Sequence, residues 1–596
     1  MKNLALISLL ICVTQAACQS TSETSENVSA SNAQPNIILI LADDMGFTDI
    51  GSYGSEIKTP NLDKLAYEGT RLTNFHASPV CAPTRSILMS GNDNHTAGMG
   101  SMFNSRFVKN WDPTLKGYEG YLHPRVASLP ERLKDAGYHT YMAGKWHLGS
   151  DEQSKPTARG FEEAFALMEG SANHMLHAGL TRPNAKVVPT YKEHGKTIDE
   201  LPEDFYSTDT YTNKVIEYID ANQKDQKPFF AYLAITSPHW PLQVPEQYKD
   251  LYAGQYDDGY DALRATRVKR AAELGVIPKV DPATYSLIGA SWNELTPEQQ
   301  RYSARTMELY AAMVHNLDDN VGRLLDYLEK TGELDNTWIF FMSDNGAEPD
   351  LEYNPTFGNL ITRAKYYDNN YDNLGNASSY AFYGPGWAQA AMAPFRVYKG
   401  SMAQGGTRVP AIAWHRDLNN LGLNNAGKIN EQYLSVMDVM PTFLDLANAK
   451  FDPTRYAGRD VVPMKGRSFS SVLQGENTLI YSADDIIAKE LHGQRMLMRG
   501  DYKILWEQRP VQMYYPGDPE PHWRTWRLYN LKDDPAESRD LSDSMPELKQ
   551  ELITLWNQWA DENGIRKNIE ARWKEPLDPG IEKLGRPAEK VYPVVH

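Results

Sequence analysis

The stretch NIILILA, residues 36–42, is followed at once by Asp43 and Asp44. Its apolar run is continuous instead of alternating, which is the pattern of a β-strand buried on both faces of a parallel sheet. The abrupt change to two aspartates marks the carboxyl end of that strand. The stretch therefore predicts a central strand with an acidic pair at its end.

Two further apolar runs repeat this arrangement. Residues 229–235 lead into Ser237-Pro238-His239, and residues 338–342 lead into Ser343-Asp344-Asn345-Gly346. Between them, residues 303–331 have apolar side chains at helical spacing and end at Gly332, a typical C-terminal cap. Strand, helix and strand in this order predict an α/β fold, with a large, mostly parallel sheet flanked by helices. Ligands in such sheets bind at the carboxyl ends of the strands, so we expect one site to bring together Asp43, Asp44, His239, Asp344 and Asn345.

Composition narrows the class of protein. The chain has 596 residues, 41% hydrophobic and 23% charged, with a formal net charge of −17 and only three cysteines. These values exclude a collagen-like chain, a disordered chain and a small disulfide-stapled domain. A sequence pI near 5.4 argues against a nucleic-acid partner, because general nucleic-acid binders are basic. An anionic ligand would need local cations that override the negative net charge.

The carboxy-terminal part is predicted to be a separate, smaller unit. Residues 496–506 and 526–531 have the pattern of short strands, and residues 546–563 that of an amphipathic helix. We therefore expect a catalytic domain over residues 35–475 and a C-terminal α+β subdomain over residues 476–596. Residues 349–393 are rich in Asn, Tyr and Gly without a steady period, which favours an ordered wall of the site.

The amino terminus has the pattern of an export signal. An apolar run over residues 4–13 is too short to span a bilayer and fits the core of a signal peptide. Ala16-Ala17-Cys18, followed by a polar tether over residues 19–34, resembles a bacterial lipoprotein signal, although Gln15 leaves an ordinary secretory signal open. We expect a signal peptide over residues 1–18, loss of Cys12, a lipid anchor on Cys18, and location in the periplasm or outer membrane.

Cys81 is then the one thiol left in the mature chain, with no partner for a disulfide. It begins the motif Cys81-Ala82-Pro83-Thr84-Arg85, which precedes a helix-like stretch. This motif resembles the signature of the sulfatase family in the alkaline phosphatase superfamily. The resemblance implies an alkaline-phosphatase-like sheet and oxidation of Cys81 to Cα-formylglycine by a formylglycine-generating enzyme.

Other family motifs follow in the expected order, and the resemblance covers nearly the whole mature chain. The residues around 383–390 make it most similar to the Pseudomonas-type bacterial arylsulfatases. The matching segments are Asp43-Asp44, residues 144–149 (GKWHLG), Ser237-Pro238-His239, residues 343–346 (SDNG), Tyr398-Lys399-Gly400, residues 405–410 (GGTRVP), residues 528–531 (LYNL) and Asp533-Asp534-Pro535.

A metal site is part of what the resemblance implies. Carboxylate and amide oxygens suit a hard divalent cation, which would also help to bind an anionic sulfate ester. The family implies one Ca²⁺ per chain, and the sequence alone leaves Mg²⁺ open. The expected ligands are Asp43, Asp44, Asp344, Asn345 and the modified residue 81.

The resemblance also implies how the ester is cleaved. A hydrated formylglycine would attack sulfur with one hydroxyl and later expel sulfate with the other, re-forming the aldehyde. Arg85 would orient the diol, and Lys145 would neutralise sulfate oxygens. We expect Lys145 and His147, two residues apart, to point the same way in an extended segment. His147 would take the proton when the sulfated intermediate collapses.

Two residues would serve the ester oxygen. Lys399 would bind it, and His239 is the expected general acid. The predicted function is thus hydrolysis of a sulfate monoester, an aryl sulfate or a sulfated glycan. Two alternatives stay open: a phosphate or phosphonate monoester hydrolase of the same superfamily, and a lipoprotein that binds sulfated glycans without turnover.

Four further residues lie near these motifs. His95 follows the signature and is as consistent with a place in the pocket as with a structural role. His315 lies within the long helix, where a packed or solvated position is expected. Tyr383 and Trp387 are expected mainly to pack within their own segment, with stacking on an aryl or sugar ring as the alternative.

Overall fold

The continuous apolar run at residues 36–42 forms the central strand, Asn36–Asp43, and every residue in it is buried. Ile38 and Ile40 pack into one hydrophobic cluster, whereas Ile37 and Leu39 pack into another. Because neighbouring side chains of a strand point to opposite faces, these clusters lie on the two sides of the sheet. The prediction of a strand buried on both faces is confirmed.

The computed structural model describes residues 34–102, 111–176, 189–280, 290–350, 367–416, 427–507, 524–567 and 569. The predicted signal peptide, Cys12, Cys18 and all of the tether except Gln34 lie outside these residues. So does part of the predicted wall, residues 351–366. Within the described residues, no helix is both long and apolar enough to cross a membrane.

The described strands, in chain order, are β1 (Asn36–Asp43), β2 (Thr70–Leu72), β3 (Phe75–His76), β4 (His139–Lys145), β5 (Glu163–Leu167), β6 (Tyr191–Glu193), β7 (Lys196–Thr197), β8 (Phe229–Pro238), β9 (Thr337–Ser343), β10 (Arg408–Val409), β11 (Ala411–Trp414), β12 (Lys428–Asn430), β13 (Leu434–Ser435), β14 (Arg455–Tyr456), β15 (Arg459–Asp460), β16 (Ile486–Leu491), β17 (Gln494–Arg499), β18 (Tyr502–Trp506) and β19 (Trp526–Asn530). The described α-helices are α1 (Pro60–Glu68), α2 (Cys81–Ser90), α3 (Leu129–Asp135), α4 (Ser207–Asn222), α5 (Gly259–Glu273), α6 (Pro297–Thr331), α7 (Pro385–Ala391), α8 (Gln404–Thr407), α9 (Val439–Leu446), α10 (Ser470–Leu473) and α11 (Pro546–Glu562).

Among these, ten strands form one sheet in the order β12-β2-β11-β9-β1-β8-β4-β5-β6-β7. The central strands β9, β1, β8, β4 and β5 are parallel, whereas β11, β6 and β7 pair antiparallel to their neighbours. The predicted α/β class with a large, mostly parallel sheet is confirmed. The antiparallel strands lie towards the two edges, outside the part of the sheet that carries the site.

The long helix α6 begins earlier than its apolar spacing predicts. The side chain of Thr296 accepts a hydrogen bond from the backbone nitrogen of Gln299, and the side-chain oxygen of Gln299 accepts one from the backbone nitrogen of Thr296, which is a capping box. Pro297 occupies the first turn. The helix ends at Gly332, whose φ of 76° makes it a left-handed cap, as the sequence predicts. The helix is therefore six residues longer at its amino end than expected.

The carboxy-terminal strands β16, β17, β18 and β19 form a separate antiparallel sheet in that order. Helix α11 packs on it, and Trp556 joins Leu497 and Leu528 in a common hydrophobic cluster. The predicted smaller α+β unit is confirmed, while its boundary at residues 475 and 476 stays a prediction. The described residues from Pro35 onward form one compact unit.

Candidate active site

The site lies where three parallel strands end. Ala42 pairs with Ser343 across β1 and β9, and Asp43 pairs with Pro238 across β1 and β8. The residues that follow these pairs therefore lie at the same edge of the sheet. The topology brings Asp44, His239 and Asp344 together, as expected from strand ends in a doubly covered sheet.

Three buried cations neutralise the carboxylates at this edge. Lys145 donates to both carboxylate oxygens of Asp43, at 2.9 and 2.6 Å. Arg85 donates through Nε and Nη2 to Oδ2 of Asp344, at 3.0 and 2.8 Å. All of these side chains are fully buried, so the interactions are only weakly screened by water.

The third cation, Lys399, is held between two carboxylates. Its Nζ lies 2.8 Å from Oδ2 of Asp44 and 2.6 Å from Oε2 of Glu348. Glu348 is only 4% exposed, and burial, followed by the nearby charge of Asp350, raises its pKa. Glu348 is not predictable from the sequence, because no motif marks a carboxylate three residues after Asn345 as a partner of a lysine 51 positions further on.

The residues at the strand ends fit a hard divalent cation. Ligand atoms of Asp43, Asp44 and His239 lie within 4.8 Å of one another, and so do those of Asp43, Cys81 and Asp344. Burial and the charge of Asp43 raise the pKa of Asp344, and a bound cation would relieve this crowding of like charges.

The amide of Asn345 supports the same conclusion. Its nitrogen donates to Oδ1 of Asp44 at 2.6 Å, whereas its buried oxygen has no hydrogen-bond partner among the described residues. A buried unpartnered carbonyl oxygen is costly unless a cation or a donor reaches it. The structure thus brings together all five ligands expected from the sequence, and it adds His239 as a further candidate.

Cys81 occupies the first turn of a helix, not a loop before one. Val80 is the N-cap in an extended conformation, and α2 runs from Cys81 to a left-handed Gly91. The amino end of a helix carries partial positive charge and favours an anionic ligand. The thiol is 4% exposed, and burial raises its pKa despite the charges of Lys145 and Lys399. An unmodified Cys81 is therefore mostly a neutral thiol and a poor nucleophile.

His147 faces Cys81 directly, with 3.4 Å between Nδ1 and Sγ. The expectation that Lys145 and His147 point the same way because the segment is extended is wrong. His147 has a φ of 57°, in the left-handed region, and β4 ends at Lys145. Lys145 therefore reaches the site from the end of β4, whereas His147 reaches it through a turn of the backbone. A Cβ on Gly170 would lie 2.4 Å from Cε1 of His147, so a glycine is needed beside this ring.

His239 is oriented by its backbone neighbours. Its Nδ1 donates to the carbonyl oxygen of Trp240 at 2.7 Å, which leaves Nε2 facing Oδ2 of Asp44 at 3.4 Å. His174 in turn donates to the carbonyl oxygen of His239 at 2.8 Å, and no motif in the sequence marks this support. Burial and the charges of Lys399 and Lys145 lower the pKa of His239, so the ring is neutral near pH 7.

The remaining candidates have structural roles. His95 lies between Asp93 and Glu490, at 3.1 and 2.7 Å, so the contacts of its ring link the signature region to β16. His315 is half-buried and pairs with the hydroxyl of Tyr252 at 3.1 Å, as expected for a packed helix residue.

The aromatic residues of the segment around α7 also pack within the protein. Trp387 is fully buried and its Nε1 donates to Oγ of Ser303 at 2.9 Å, so it has no face left for a substrate ring. Tyr383 is 6% exposed and stacks on Tyr310, with ring centroids 4.4 Å apart. The expectation that both mainly pack is therefore confirmed, and stacking of Trp387 on a substrate ring is ruled out.

Comparison with known proteins agrees with the motifs and the geometry. The profile of the Sulfatase family matches residues 35–449. An uncharacterized sulfatase of Schizosaccharomyces pombe is 44% identical over 551 residues, covering 90% of this chain and 96% of the relative. The arylsulfatase of Klebsiella aerogenes is 40% identical over 453 residues, 74% of this chain and 93% of the relative.

A solved structure gives the same fold. The structure of Ps i-CgsB, in complex with a neocarrahexaose, has a TM-score of 0.62 at 23% identity and covers 94% of this chain and 99% of that one. At this identity the likeness concerns the fold alone. The family profile and the two relatives show more, and they confirm the resemblance inferred from the motifs: the chain belongs to the sulfatase family.

Proposed function

We propose that the protein hydrolyses sulfate monoesters of the arylsulfatase type, releasing inorganic sulfate and an alcohol or phenol. One observation carries the proposal: Cys81 lies in the first turn of α2 and faces His147 across 3.4 Å, beside the buried cations Lys145 and Lys399. A helix amino terminus with two lysines is an anion-binding environment in a chain of net charge −17. The relationship to the Klebsiella arylsulfatase supports an aryl sulfate as a substrate.

Residue 81 is proposed to act as Cα-formylglycine, made from Cys81 by a formylglycine-generating enzyme. The raised pKa of the buried thiol supports this proposal, since an unmodified thiol would rarely be ionised. The hydrated aldehyde supplies an oxygen nucleophile together with a second hydroxyl for release of sulfate. Arg85, fixed by Asp344 and by the carbonyl oxygen of Lys145 at 2.7 Å, stabilises negative charge beside it.

The metal is proposed to be Ca²⁺, held by Asp43, Asp44, Asp344 and Asn345 together with residue 81. A set of mainly carboxylate and amide oxygens suits Ca²⁺, and Mg²⁺ is the alternative with a smaller, stricter octahedral shell. When bound, the cation supplies positive charge to sulfate oxygens and to the nucleophile. Lys145 and Lys399 would contribute hydrogen bonds to the other oxygens of the ester.

Two histidines are proposed to move protons. His239, which is neutral in the free protein, takes up a proton from solvent water at Nε2 when the anionic ester binds, and then donates it to the leaving ester oxygen, which becomes the hydroxyl of the alcohol or phenol. His147, next to residue 81, takes the proton that is released when sulfate is expelled. An alkyl alcohol leaves less readily than a nitrophenol, so a change at His239 has a larger effect on alkyl esters.

Export and lipid attachment are also proposed, from residues 1–34 alone. The apolar run and Ala16-Ala17-Cys18 support a signal peptide with a lipid anchor on Cys18. An exported location would place the enzyme in the periplasm or at the outer membrane. Sulfated glycans outside the cell are then candidate substrates besides aryl sulfates.

The function is tested by mass spectrometry and a substrate panel on protein from a host that matures sulfatases. A tryptic peptide containing residue 81 is expected to be about 18 Da lighter than its cysteine form. The protein is expected to release sulfate from nitrophenyl, alkyl or sugar sulfates faster than it cleaves the matching phosphate and phosphonate esters. Faster cleavage of the phosphorus esters would support the alternative hydrolase instead.

The Cys81→Ala variant is the matched control. It is expected to lose turnover while keeping the unfolding temperature within a few degrees, because alanine suits the first turn of α2. Retained activity, or an unmodified thiol in fully active protein, would contradict the proposed nucleophile. If the wild-type protein with formylglycine at residue 81 cleaved none of these esters, the result would favour a lipoprotein that binds sulfated glycans without turnover.

A further inference from the structure

The segment that carries Lys399 rests on other parts of the site along one side. The backbone nitrogen of Lys399 donates to the carbonyl oxygen of Ala347 at 3.1 Å, and that of Gly400 donates to Pro79 at 2.8 Å. Ala347 belongs to the turn after β9, and Pro79 to the approach to Cys81. These contacts fix the segment relative to two ligand-bearing elements.

The other side of the segment is held by the C-terminal sheet. Glu507, which directly follows β18, is fully buried. Its Oε1 accepts a hydrogen bond from Oγ of Ser401 at 2.6 Å, and its Oε2 accepts one from Nη2 of Arg396 at 2.8 Å. Arg527 of β19 also donates to Oε2 of Glu507, and Gln494 donates to the carbonyl oxygen of Gly400.

A second buried carboxylate strengthens this attachment further along the segment. Glu537 accepts a hydrogen bond from the backbone nitrogen of Gln404 at 2.9 Å. Its other oxygen accepts one from Nζ of Lys503 at 2.6 Å, and Lys503 also donates to the carbonyl oxygen of Met402 at 2.7 Å. Side chains of the C-terminal unit therefore hold residues 396–404 at five points, namely Arg396, Gly400, Ser401, Met402 and Gln404.

We propose that Glu507 is a positioning residue that acts on the reaction through Lys399, so that the C-terminal sheet sets the place of a lysine in the site. The inference rests on the proposed sulfate ester hydrolysis, because turnover is its readout. Glu507 does not touch Asp44, Glu348 or the cysteine. Its contacts flank Lys399 by two residues on one side and three on the other, at Ser401 and Arg396.

The negative charge of Glu507 is what makes it suited to this role. Three hydrogen bonds from two arginines and a hydroxyl converge on one buried carboxylate, and charge-assisted bonds are the strong ones. A glutamine keeps one acceptor oxygen but loses the negative charge, so the two half-buried arginines would lose the charge-assisted part of their hydrogen bonds. Because a misplacement of about 1 Å costs roughly 100-fold in rate, a small shift of the segment is enough to impair Lys399.

The test is a double-mutant cycle between Glu507→Gln and Lys399→Ala, with nitrophenyl sulfate as the substrate. Glu507→Gln is expected to lower kcat about tenfold and to change KM less than threefold. The double variant is expected to have the kcat of Lys399→Ala, since a residue that acts only through Lys399 has no effect once the lysine is gone. Glu507→Asp is expected to recover part of the loss.

Two further variants keep the result interpretable. Glu551→Gln, which breaks an exposed ion pair with Arg499 in the same unit, is the matched control and is expected to leave kcat unchanged. Ser401→Ala removes only the hydroxyl that binds Glu507, and it gives a second cycle with Lys399→Ala in case Glu507→Gln does not fold. Ser401→Ala is expected to lower kcat in the presence of Lys399 and to have no effect in its absence. If the loss of kcat in each double variant were the product of the losses in its two single variants, the inference would be overturned. A wild-type protein without sulfate ester turnover would instead refute the proposed function.

Discussion

Glu348 shows how much a single buried carboxylate contributes to the charge balance of the site. Lys399 has two partners, Asp44 and Glu348, and the first is also a candidate metal ligand. When Asp44 binds a cation, Glu348 is the partner that still balances the lysine. We expect Glu348→Gln to lower kcat/KM for nitrophenyl sulfate by about 10- to 100-fold, the size of one charge-assisted hydrogen bond of roughly 1.5–3 kcal/mol. Steady-state kinetics measure this loss.

The control for that prediction is Glu329→Gln. Glu329 pairs with Arg416 on an exposed surface, where ion pairs contribute about 0–1 kcal/mol, so kcat/KM is expected to stay within twofold. A Glu348→Gln variant as active as the wild type would mean that Asp44 alone is enough to balance the charge of Lys399 and hold it in place.

The unpartnered oxygen of Asn345 leads to a prediction about the metal. Removing Ca²⁺ with a chelator is expected to abolish turnover and to lower the unfolding temperature by a few degrees, because an ion bound only to the folded state stabilises it. Adding Ca²⁺ back is expected to restore both. Asn345→Ala removes one ligand oxygen, so it is expected to raise the Ca²⁺ concentration needed for half of the thermal shift roughly tenfold. Thermal unfolding over a calcium titration measures this.

Asn370→Ala is the matched control for the asparagine change, because Asn370 is exposed and outside the cluster of carboxylates. Its calcium titration is expected to coincide with that of the wild type. Full turnover in chelator, or a titration of Asn345→Ala that matches the wild type, would contradict the ligand assignment.

At the level of elements, the sequence predicts the sheet best where the chain is most apolar. The runs at residues 36–42, 229–235 and 338–342 become β1, β8 and β9, because a strand buried on both faces has no polar positions. Short strands such as β2 and β13, of three and two residues, escape prediction since their pairing partners are far along the chain. The early start of α6 depends on the capping box at Thr296, not on periodicity.

Some residues of the site are likewise predictable from the sequence, and others are not. Asp43, Asp44 and Asp344 could be placed together from strand ends alone, because parallel strands bring their carboxyl ends to one edge. The positions of Lys145 and Lys399 came from the family motifs, and no local pattern indicated Glu348 or His174. These two residues act by contacts between distant segments, which a single sequence does not reveal.

The contact between His95 and Glu490 of β16 is expected to make the stability of the protein depend on pH. Burial works against a charge on His95, but the hydrogen bonds and charges of Asp93 and Glu490 outweigh it and raise its pKa to about 10. The unfolded chain has an ordinary histidine pKa near 6.5. The folded state therefore holds the proton more tightly, and the stabilisation is full below about pH 6.5 and is lost as the pH rises towards 10.

The pH dependence of His95→Gln isolates this contribution. The wild type is expected to lose unfolding temperature between pH 7 and 10 more steeply than the variant, and the two curves are expected to converge near pH 10. Thermal unfolding at half-unit steps of pH measures the difference. Because Glu490 lies in β16, the variant is also expected to loosen the C-terminal sheet. Parallel curves over this range would show that His95 is not charged in the folded protein.

For the whole molecule, the net charge of −17 opposes the approach of any sulfate ester, although the site itself contains Arg85, Lys145 and Lys399. The opposition acts at long range and depends on salt, since the Debye length falls from about 30 Å at 0.01 M to about 8 Å at 0.15 M. The buried cations act at contact distance and are screened far less. We therefore expect kcat/KM for nitrophenyl sulfate to rise with ionic strength over this interval.

The charge of the ligand provides the control for this prediction. Inorganic sulfate carries two negative charges and nitrophenyl sulfate one, and the repulsion grows with the product of the charges of protein and ligand. When the salt concentration is raised at constant calcium, the inhibition constant of sulfate is therefore expected to fall by a larger factor than kcat/KM rises. Repeating the series with choline chloride in place of potassium chloride separates screening from binding of the cation. If both quantities fell with salt, the positive field of the site would reach beyond the protein surface and would outweigh the net charge.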